Sequence, residues 1–179
     1  LTLFAFSTEN WDRPRDEVHI LMELLGKAIT EQTISLHNEG VRIKHLGRSD
    51  RLTPQLQKAL RDSVELTKDN TELTVSVAFD YGGRAEIIDA IKRIVDDGVS
   101  SEEITEDLFR RYLYTGEVPD PDLIIRTGGE MRLSNFLLWQ SFYAEYYATP
   151  VLWPAFNEDE VARAVDVYSR RQRRFGRVG

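Results

Sequence analysis

The stretch that decides the fold reads Leu73-Thr-Val-Ser-Val-Ala-Phe79, followed by Asp80-Tyr-Gly-Gly-Arg84. Its first part is rich in β-branched residues and indicates a strand, and the residues from Ile87 to Val95 then have the spacing of a helix. The same alternation of strand and helix recurs on both sides of this stretch. Short strands of this kind, buried on both faces, are typical of a parallel α/β sheet.

The neighbouring segments extend this pattern over the whole chain. Further strands are predicted over Leu1 to Phe6, Val41 to Leu46 and Asp122 to Arg126. Helices are predicted to begin at Pro14, Thr53-Pro54, Thr105 and Asn157, where cap residues or a first-turn proline occur. Because no repeat, low-complexity tract or Pro/Gly-rich linker interrupts the sequence, we predict one domain over residues 1–179.

Charge and residue usage exclude several classes of function. A net charge of -7 argues against a nucleic-acid binder, whereas arginines concentrated in 126–132 and 170–177 suit a small polyanionic ligand. The absence of cysteine excludes thiolate zinc sites and fits a reducing compartment, so we expect a cytoplasmic protein. The longest strongly apolar run, Phe136–Trp139, allows at most peripheral membrane contact. A bound metal would be a hard cation such as Mg²⁺, held by carboxylate and phosphate oxygens.

In a parallel sheet, ligands bind where loops leave the carboxyl ends of strands, so three loops are informative. The first is Ser7–Pro14. There, Arg13 can clamp a diphosphate oxygen, Trp11 can wall an apolar chain, and Asn10 can orient a leaving proton or a diphosphate oxygen. The structural alternative is a capped helix entry, with Trp11 in the core and Arg13 paired to an acid three or four residues later.

The second loop is Asp80–Arg84, with paired glycines directly after a strand. Glycines permit positive φ and let backbone N–H groups approach an anion. An ordinary strand-to-helix turn would use the same glycines, so this signal is weak by itself.

The third loop, Arg126–Ser134, carries the strongest signal. It combines two arginines, backbone donors freed by Gly-Gly and a serine hydroxyl just beyond a buried strand, a set suited to gripping a diphosphate. The structural alternative pairs Arg126 with Glu130 and makes Ser134 a helix N-cap.

Glu145 lies among aromatic residues, where a carboxylate needs a partner such as Mg²⁺ or an arginine. An exposed acid on a helix is the simpler account. For the arginine-rich end, 170–177, the default interpretation is a solvated helix face.

Together these segments resemble the bacterial cis-prenyltransferases of the undecaprenyl diphosphate synthase type. The resemblance covers essentially the whole chain, and its most specific part runs from Asp122 to Phe156. The matching segments occur in the family's order: Phe6–Pro14, Tyr81–Arg84, Asp122–Glu130, Arg132–Gln140 and Trp153–Phe156.

The resemblance also implies roles for individual residues. The diphosphate of isopentenyl diphosphate would be held by Arg126, Arg132, Leu133 and Ser134. Glu145 matches the carboxylate that helps bind Mg²⁺. The loop that closes over the substrates would comprise Asn10, the position assigned to proton removal, together with Trp11 and Arg13, next to substrate-binding Ser7, Thr8 and Glu9. Arg174 and Gly176 match an Arg-x-Gly ending that reaches a neighbouring subunit's active site, so a homodimer is implied.

The implied enzyme is a Mg²⁺-dependent cis-prenyltransferase. It would condense isopentenyl diphosphate with an allylic diphosphate such as farnesyl diphosphate. The product would be a polyprenyl diphosphate, such as the undecaprenyl diphosphate used as a lipid carrier for peptidoglycan. The implied fold is a single α/β domain with a mostly parallel central sheet, flanking helices and a hydrophobic tunnel for the product.

Two departures from the family pattern stand out. Family members begin with a strand and an Asp-Gly-Asn-Gly-Arg-Trp loop whose Asp binds Mg²⁺, and the sequence as given contains neither. We therefore expect an N-terminally truncated chain that is inactive alone; the alternative is a non-catalytic partner subunit that lends its Arg174–Gly176 tail to an active relative. A nucleotide-phosphate hydrolase ranks last, because no P-loop motif occurs. The second departure is Asp80, where many relatives carry Asn.

Overall fold

Strands alternate with helices in the computed structural model, which describes residues 1–116 and 118–171. The chain divides into two units, Leu1–Gly116 and Glu117–Gly179. The boundary between them falls after the fourth helix.

The first unit contains a three-stranded parallel sheet. Its strands are β1 (Thr2–Ser7), β2 (Val41–Leu46) and β3 (Leu73–Tyr81), in the order β1-β3-β2. Its helices are α1 (Arg15–Asn38), α2 (Pro54–Thr67), α3 (Gly83–Asp96) and α4 (Glu106–Tyr112), with 3-10 turns at Thr8–Asp12 and Ser101–Glu103. Each predicted strand and helix of this unit is confirmed, and β3 runs two residues beyond the predicted end.

Local sequence signals account for the helix boundaries. Thr53 is the N-cap of α2, and its hydroxyl accepts a hydrogen bond from the Leu56 N–H at 3.3 Å. Gly40, just past the end of α1, has a φ of 74°, a left-handed conformation that glycine adopts without steric cost. The chain therefore turns from α1 directly into β2.

The core of the first unit joins the sheet to α1 and α2. Its buried members come from both layers: Phe6, Val18, Leu52, Leu56, Leu60 and Phe79. Trp11 is half-buried and packs against the same cluster. The loop after β1 is thus anchored to the core at one side chain.

The second unit contains β4 (Leu123–Arg126) and β5 (Glu145–Ala148), which pair in parallel, and α5 (Glu158–Ser169). A 3-10 turn, Trp153–Ala155, precedes α5. The positions of β4 and α5 confirm the prediction, and the Asn157 side chain caps α5 by accepting from the Glu160 N–H at 3.2 Å. Sequence reasoning missed β5.

The predicted α/β class with parallel sheets is confirmed. The prediction of one domain over residues 1–179 stays a prediction. Along the described residues, no helix combines the length and the apolar character needed to cross a bilayer.

Candidate active site

The first two informative loops lie side by side in the first unit. In the parallel register of β1 and β3, Ser7 is opposite Tyr81, so both strands end at the same edge of the sheet. The loops after β1 and β3 therefore leave the sheet at its carboxyl edge, where ligands bind in parallel sheets.

The loop after β1 forms a 3-10 turn closed by side chains. The Ser7 N–H donates to Asn10 Oδ1 at 2.9 Å, and the Thr8 hydroxyl donates to Glu9 Oε2 at 3.0 Å. The Asn10 Oδ1 atom therefore serves as an acceptor within the turn, whereas its Nδ2 group is a hydrogen-bond donor.

Arg13 forms the local pair that the structural alternative predicted. Its NH1 lies 2.6 Å from Glu17 Oε1, and each side chain is 48% exposed. Exposed pairs of this kind contribute about 1 kcal/mol or less. An anion that binds Arg13 therefore displaces Glu17 at small cost.

Behind Trp11 lies a buried carboxylate that sequence reasoning treated only as a departure. Asp80, at the end of β3, is 0% exposed. Its Oδ1 accepts from Trp11 Nε1 at 2.8 Å, and its Oδ2 accepts from Arg51 Nε at 3.0 Å. The sequence signal that could have identified it is its place at the carboxyl end of a buried strand.

The first of the paired glycines in the second loop does not adopt the positive φ that glycine permits. Gly82 is the N-cap of α3 and has an extended φ of -158°, whereas the positive φ, 50°, lies at Asp80. Gly82 therefore serves an ordinary strand-to-helix turn, the alternative that the sequence left open. The positive φ at Asp80 is a left-handed conformation that short polar side chains such as Asp tolerate.

A second ionic cluster lies further along the same unit. Arg48 donates two hydrogen bonds of 2.7 Å to Asp89, which also accepts from the Tyr114 hydroxyl. The Arg48 guanidinium lowers the pKa of Asp89, and burial raises the pKa of Tyr114. Burial also lowers the pKa of His45, whose ring contacts the Phe79 carbonyl.

In the second unit, Arg126 ends β4 with one unsatisfied donor. Its Nε atom is buried and has no hydrogen-bond partner within the described residues. The alternative that paired Arg126 with Glu130 finds no support there, because Glu130 forms an ion pair with Arg132. The Nε of Arg42 is also buried and without a partner in the described part of the chain, but Arg42 lies at the amino end of β2, away from the ligand edge of a parallel sheet.

The glycines after Arg126 do not provide free donors. The Gly128 N–H donates to the Val151 carbonyl and the Gly129 N–H to the Thr149 carbonyl, each at 2.9 Å. The expectation that Gly-Gly frees backbone donors for an anion is therefore wrong for these two groups. Their φ angles of 81° and 74° fold the loop back on the segment after β5, which takes up both N–H groups.

The end of this loop forms turns. Ser134 and Asn135 have φ angles of 49° and 64°, and no helix begins at Ser134, so the helix-cap alternative is wrong. Ser134 and Arg132 are exposed, and Leu133 between them is half-buried. The polar groups of this segment are open to a ligand.

Glu145 is the first residue of β5, so its interpretation as an exposed helix acid is wrong. Its Oε2 lies 2.6 Å from NH1 of Arg171, and its side chain is 28% exposed. A half-buried carboxylate has found a cationic partner, as expected of such a group.

Comparison with known proteins decides the family. The sequence model of the family described as "Putative undecaprenyl diphosphate synthase" matches residues 1–176. The chain belongs to this prenyltransferase family. An isoprenyl transferase of Fusobacterium nucleatum is 51% identical over 178 residues, which make up 99% of this chain and 76% of the relative. An isoprenyl transferase from Thermotoga maritima is 50% identical, and the match covers 98% of this chain and 76% of that relative.

Solved structures agree with this assignment. Lavandulyl diphosphate synthase from Lavandula x intermedia, in complex with dimethylallyl diphosphate, superposes with a TM-score of 0.93 at 34% identity, over 98% of this chain and 78% of its own. A "probable undecaprenyl diphosphate synthase" from Campylobacter jejuni superposes with a TM-score of 0.90 at 38% identity. The match covers 99% of this chain and 83% of the Campylobacter chain. The resemblance found from sequence is confirmed, and the chain is an enzyme of the prenyltransferase class.

Membership in the prenyltransferase family carries the expectation of a divalent metal, which the residues fit only in part. Among the described residues, no three Asp, Glu or His side chains cluster to form a metal cage. Glu145 supplies a single carboxylate, already paired with Arg171. Mg²⁺ commonly uses one or two carboxylates together with substrate phosphates, so Glu145 fits as one ligand of a shell shared with the substrate.

The predicted site residues of the prenyltransferase thus fall into two groups. One lies around the turn after β1 and contains Ser7, Thr8, Glu9, Asn10, Trp11 and Arg13. The other belongs to the second unit and contains Arg126, Arg132, Leu133, Ser134 and Glu145. Arg174 and Gly176 lie outside the described residues, so their predicted role stays a prediction.

Proposed function

We propose that this chain is the catalytic domain of a cis-prenyl chain elongase, extending over residues 1–179. It condenses isopentenyl diphosphate with an allylic diphosphate, such as farnesyl diphosphate, in a Mg²⁺-dependent reaction. The product is a polyprenyl diphosphate of the undecaprenyl diphosphate class, which supplies the lipid carrier for peptidoglycan synthesis. The enzyme works as a cytoplasmic homodimer. The names of its relatives, isoprenyl transferases at about half identity, support this proposal.

The observation that carries the proposal is the buried Nε of Arg126. A buried N–H without an acceptor costs about 1–3 kcal/mol, more for a charged group, so a stable fold rarely leaves one unused. A diphosphate oxygen is a suitable acceptor because it carries charge and matches the guanidinium fork. The position of Arg126 at the carboxyl end of a parallel strand is where such a ligand binds.

Arg132 and Ser134 complete the proposed cradle for isopentenyl diphosphate. The Arg132 side chain is 62% exposed and forms an ion pair with Glu130, which a diphosphate can replace. The exposed Ser134 hydroxyl can donate to a third oxygen, and half-buried Leu133 lies between these two residues in the sequence. Holding this diphosphate fixes the double bond of the second substrate for attack.

The turn after β1 is assigned to the allylic substrate. Asn10 Oδ1 already accepts from the Ser7 N–H, which supports donation by Nδ2 to a diphosphate oxygen over acceptance of a proton by Oδ1. Arg13 can join it by releasing Glu17, and Ser7, Thr8 and Glu9 form the floor of the turn. Trp11 excludes water beside the apolar chain.

The proposed condensation requires departure of diphosphate from the allylic substrate, a bound second substrate and the loss of one proton. Departure of diphosphate leaves carbocation-like character at C1 of the allylic substrate, and bound Mg²⁺, with Glu145 as a protein ligand, would supply neutralisation of diphosphate charge. Donors at Asn10 and Arg13 hold the allylic diphosphate, and Arg126 and Arg132 hold the diphosphate of the second substrate. Loss of one proton then sets a cis double bond, and the apolar product requires a dry tunnel.

The test uses the full-length protein, including any coding sequence upstream of Leu1. It is incubated with farnesyl diphosphate, isopentenyl diphosphate and Mg²⁺, and products are identified by mass spectrometry. We expect a ladder of polyprenyl diphosphates that disappears when EDTA is added. Absence of any condensation product, with activity appearing only after a catalytic relative is added, would replace the proposal by the partner-subunit alternative.

A further inference from the structure

The buried carboxylate of Asp80 has a place in the first unit that the proposed function has not used. Asp80 is the penultimate residue of β3, is 0% exposed and accepts from three donor atoms: Trp11 Nε1, Arg51 Nε and Arg51 NH2. A charged group in such a dry position is tolerated only with this degree of pairing. Both partners come from other segments, so Asp80 joins the turn after β1 to the loop before α2.

Three side chains contact Trp11 and hold its indole ring in place. Its indole N–H donates to Asp80 at 2.8 Å, and its ring meets Phe6 edge-on with centroids 5.4 Å apart. The Arg51 guanidinium lies over the same ring, 5.0 Å from its centroid, a cation–π geometry. Arg51 therefore contacts both partners of the Trp11–Asp80 hydrogen bond and closes a three-residue cluster.

The backbone around Asp80 is built to bring Arg51 close. Asp80 has a φ of 50°, which its short polar side chain tolerates, and its carbonyl accepts from the Arg48 N–H at 3.1 Å. At Gly47 an added Cβ would lie 2.3 Å from the Phe79 carbonyl oxygen. The loop between β2 and α2 thus lies directly on the end of β3, and Arg51 reaches the carboxylate from it.

We propose that Asp80 and Arg51 are positioning residues that hold Trp11, and with it the adjacent Asn10, in the conformation that receives the allylic substrate. The inference rests on the function proposed above. Asn10 and Trp11 are consecutive in a five-residue 3-10 turn, so an anchor at the indole restricts the backbone that carries Asn10. Without that anchor the turn must be ordered by the substrate itself, which costs binding energy.

The first test follows the indole proton of Trp11 directly. In ¹⁵N-labelled full-length protein, its N–H signal is the one that disappears in Trp11→Phe. We expect Asp80→Ala to speed hydrogen exchange of this proton by about tenfold to a hundredfold, the range for losing one hydrogen bond to a charged group. Asp80→Asn, which retains an acceptor oxygen, should keep the signal protected.

Asp89→Ala is the matched control for this measurement. Asp89 is likewise bound by two hydrogen bonds from an arginine, Arg48, but does not contact Trp11. Its loss should lower stability and leave exchange at Trp11 unchanged. Equal acceleration in Asp80→Ala and Asp89→Ala would mean that Asp80 only supports the fold.

The second test asks whether Asp80 acts through Trp11. We expect kcat/KM for condensation to fall by about tenfold to a hundredfold in Asp80→Ala. In a Trp11→Phe background, adding Asp80→Ala should then cost no more than about twofold, because non-additivity marks residues that act as one unit. Fully additive losses would overturn the positioning role.

The two proposals fail in different ways. A wild-type protein that makes no polyprenyl product overturns the proposed function, whereas the exchange measurement still decides whether Asp80 holds Trp11. Unchanged exchange in Asp80→Ala overturns the inference even if the enzyme is fully active.

Discussion

Glu145 and Arg171 form an ion pair in which 2.6 Å separates Oε2 from NH1. Glu145 opens β5, and Arg171 lies just beyond α5, so the pair ties the end of the last helix to the sheet of the second unit. Since Glu145 is also the proposed ligand for Mg²⁺, the metal and the guanidinium compete for the same carboxylate. A metal ion that binds Glu145 therefore has to displace the Arg171 guanidinium.

Removal of Arg171 should make the metal easier to bind. We expect Arg171→Gln to lower the Mg²⁺ concentration for half-maximal condensation by up to about fivefold, since a partly exposed pair contributes at most about 1 kcal/mol. Titration of activity with Mg²⁺ measures the shift. Arg170→Gln is the matched control, because Arg170 pairs with Asp166 instead. The same shift in both variants would trace the effect to net charge.

Substitution of Arg126 should weaken binding of isopentenyl diphosphate. We expect Arg126→Ala to raise its KM by about tenfold to a hundredfold, because a charge-assisted hydrogen bond contributes about 1.5–3 kcal/mol. Arg126→Lys keeps the charge without the planar fork and should recover only part of the loss. Steady-state kinetics with saturating farnesyl diphosphate provide the measurement.

Arg132→Ala tests the second arm of the proposed cradle under the same conditions. Arg132 must first leave Glu130, so its loss should raise the same KM by a smaller factor than loss of Arg126. Unchanged kinetics in both alanine variants would refute the assignment of the cradle, whatever the activity of the wild-type protein.

Thr149 connects the Arg126 loop to α5. Its N–H donates to the Arg126 carbonyl at 2.9 Å, and its buried hydroxyl contacts Glu160 Oε2 at 3.4 Å. We expect Thr149→Val to lower the free energy of unfolding by about 1–3 kcal/mol, because a buried carboxylate oxygen loses a donor. Urea denaturation measures the change. Thr149→Ser keeps the hydroxyl, so an equal loss in that variant would assign the effect to packing.

The protonation of His45 should set part of the pH dependence of stability. Burial lowers the pKa of His45, so the unfolded chain binds a proton at a higher pH than the folded protein does. The stability gained from the neutral ring is complete above about pH 6.5 and is lost as the pH falls from there through the folded-state pKa. We expect a flatter stability profile in His45→Gln, measured by urea denaturation between pH 5 and 8.

His19 provides the control for this pH profile. Its side chain on α1 is 74% exposed. The profile of His19→Gln should follow that of the wild-type protein, because this substitution leaves the buried ring of His45 in place. A flattening equal to that of His45→Gln would contradict the role of burial.

The sequence by itself determined the order of most elements and the family. Thr53 and Asn157 cap their helices through their own side chains, and β-branched runs such as Val41–Leu46 form strands, because these signals act between near neighbours. The β5 strand escaped prediction because Glu145–Ala148 contains no β-branched residue, whereas the equally short β4 contains two isoleucines.

Only the tertiary structure decided which polar groups remain for a ligand. The sequence presents Gly128, Gly129 and Arg126 as equal donors, yet the fold gives both glycine N–H groups to backbone carbonyls and leaves Arg126 Nε buried without an acceptor among the described residues. The link between Trp11 and Asp80, 69 positions apart, depends on the parallel register of β1 and β3. Hydrogen bonding is pairwise in space, so residue type alone cannot assign its partners.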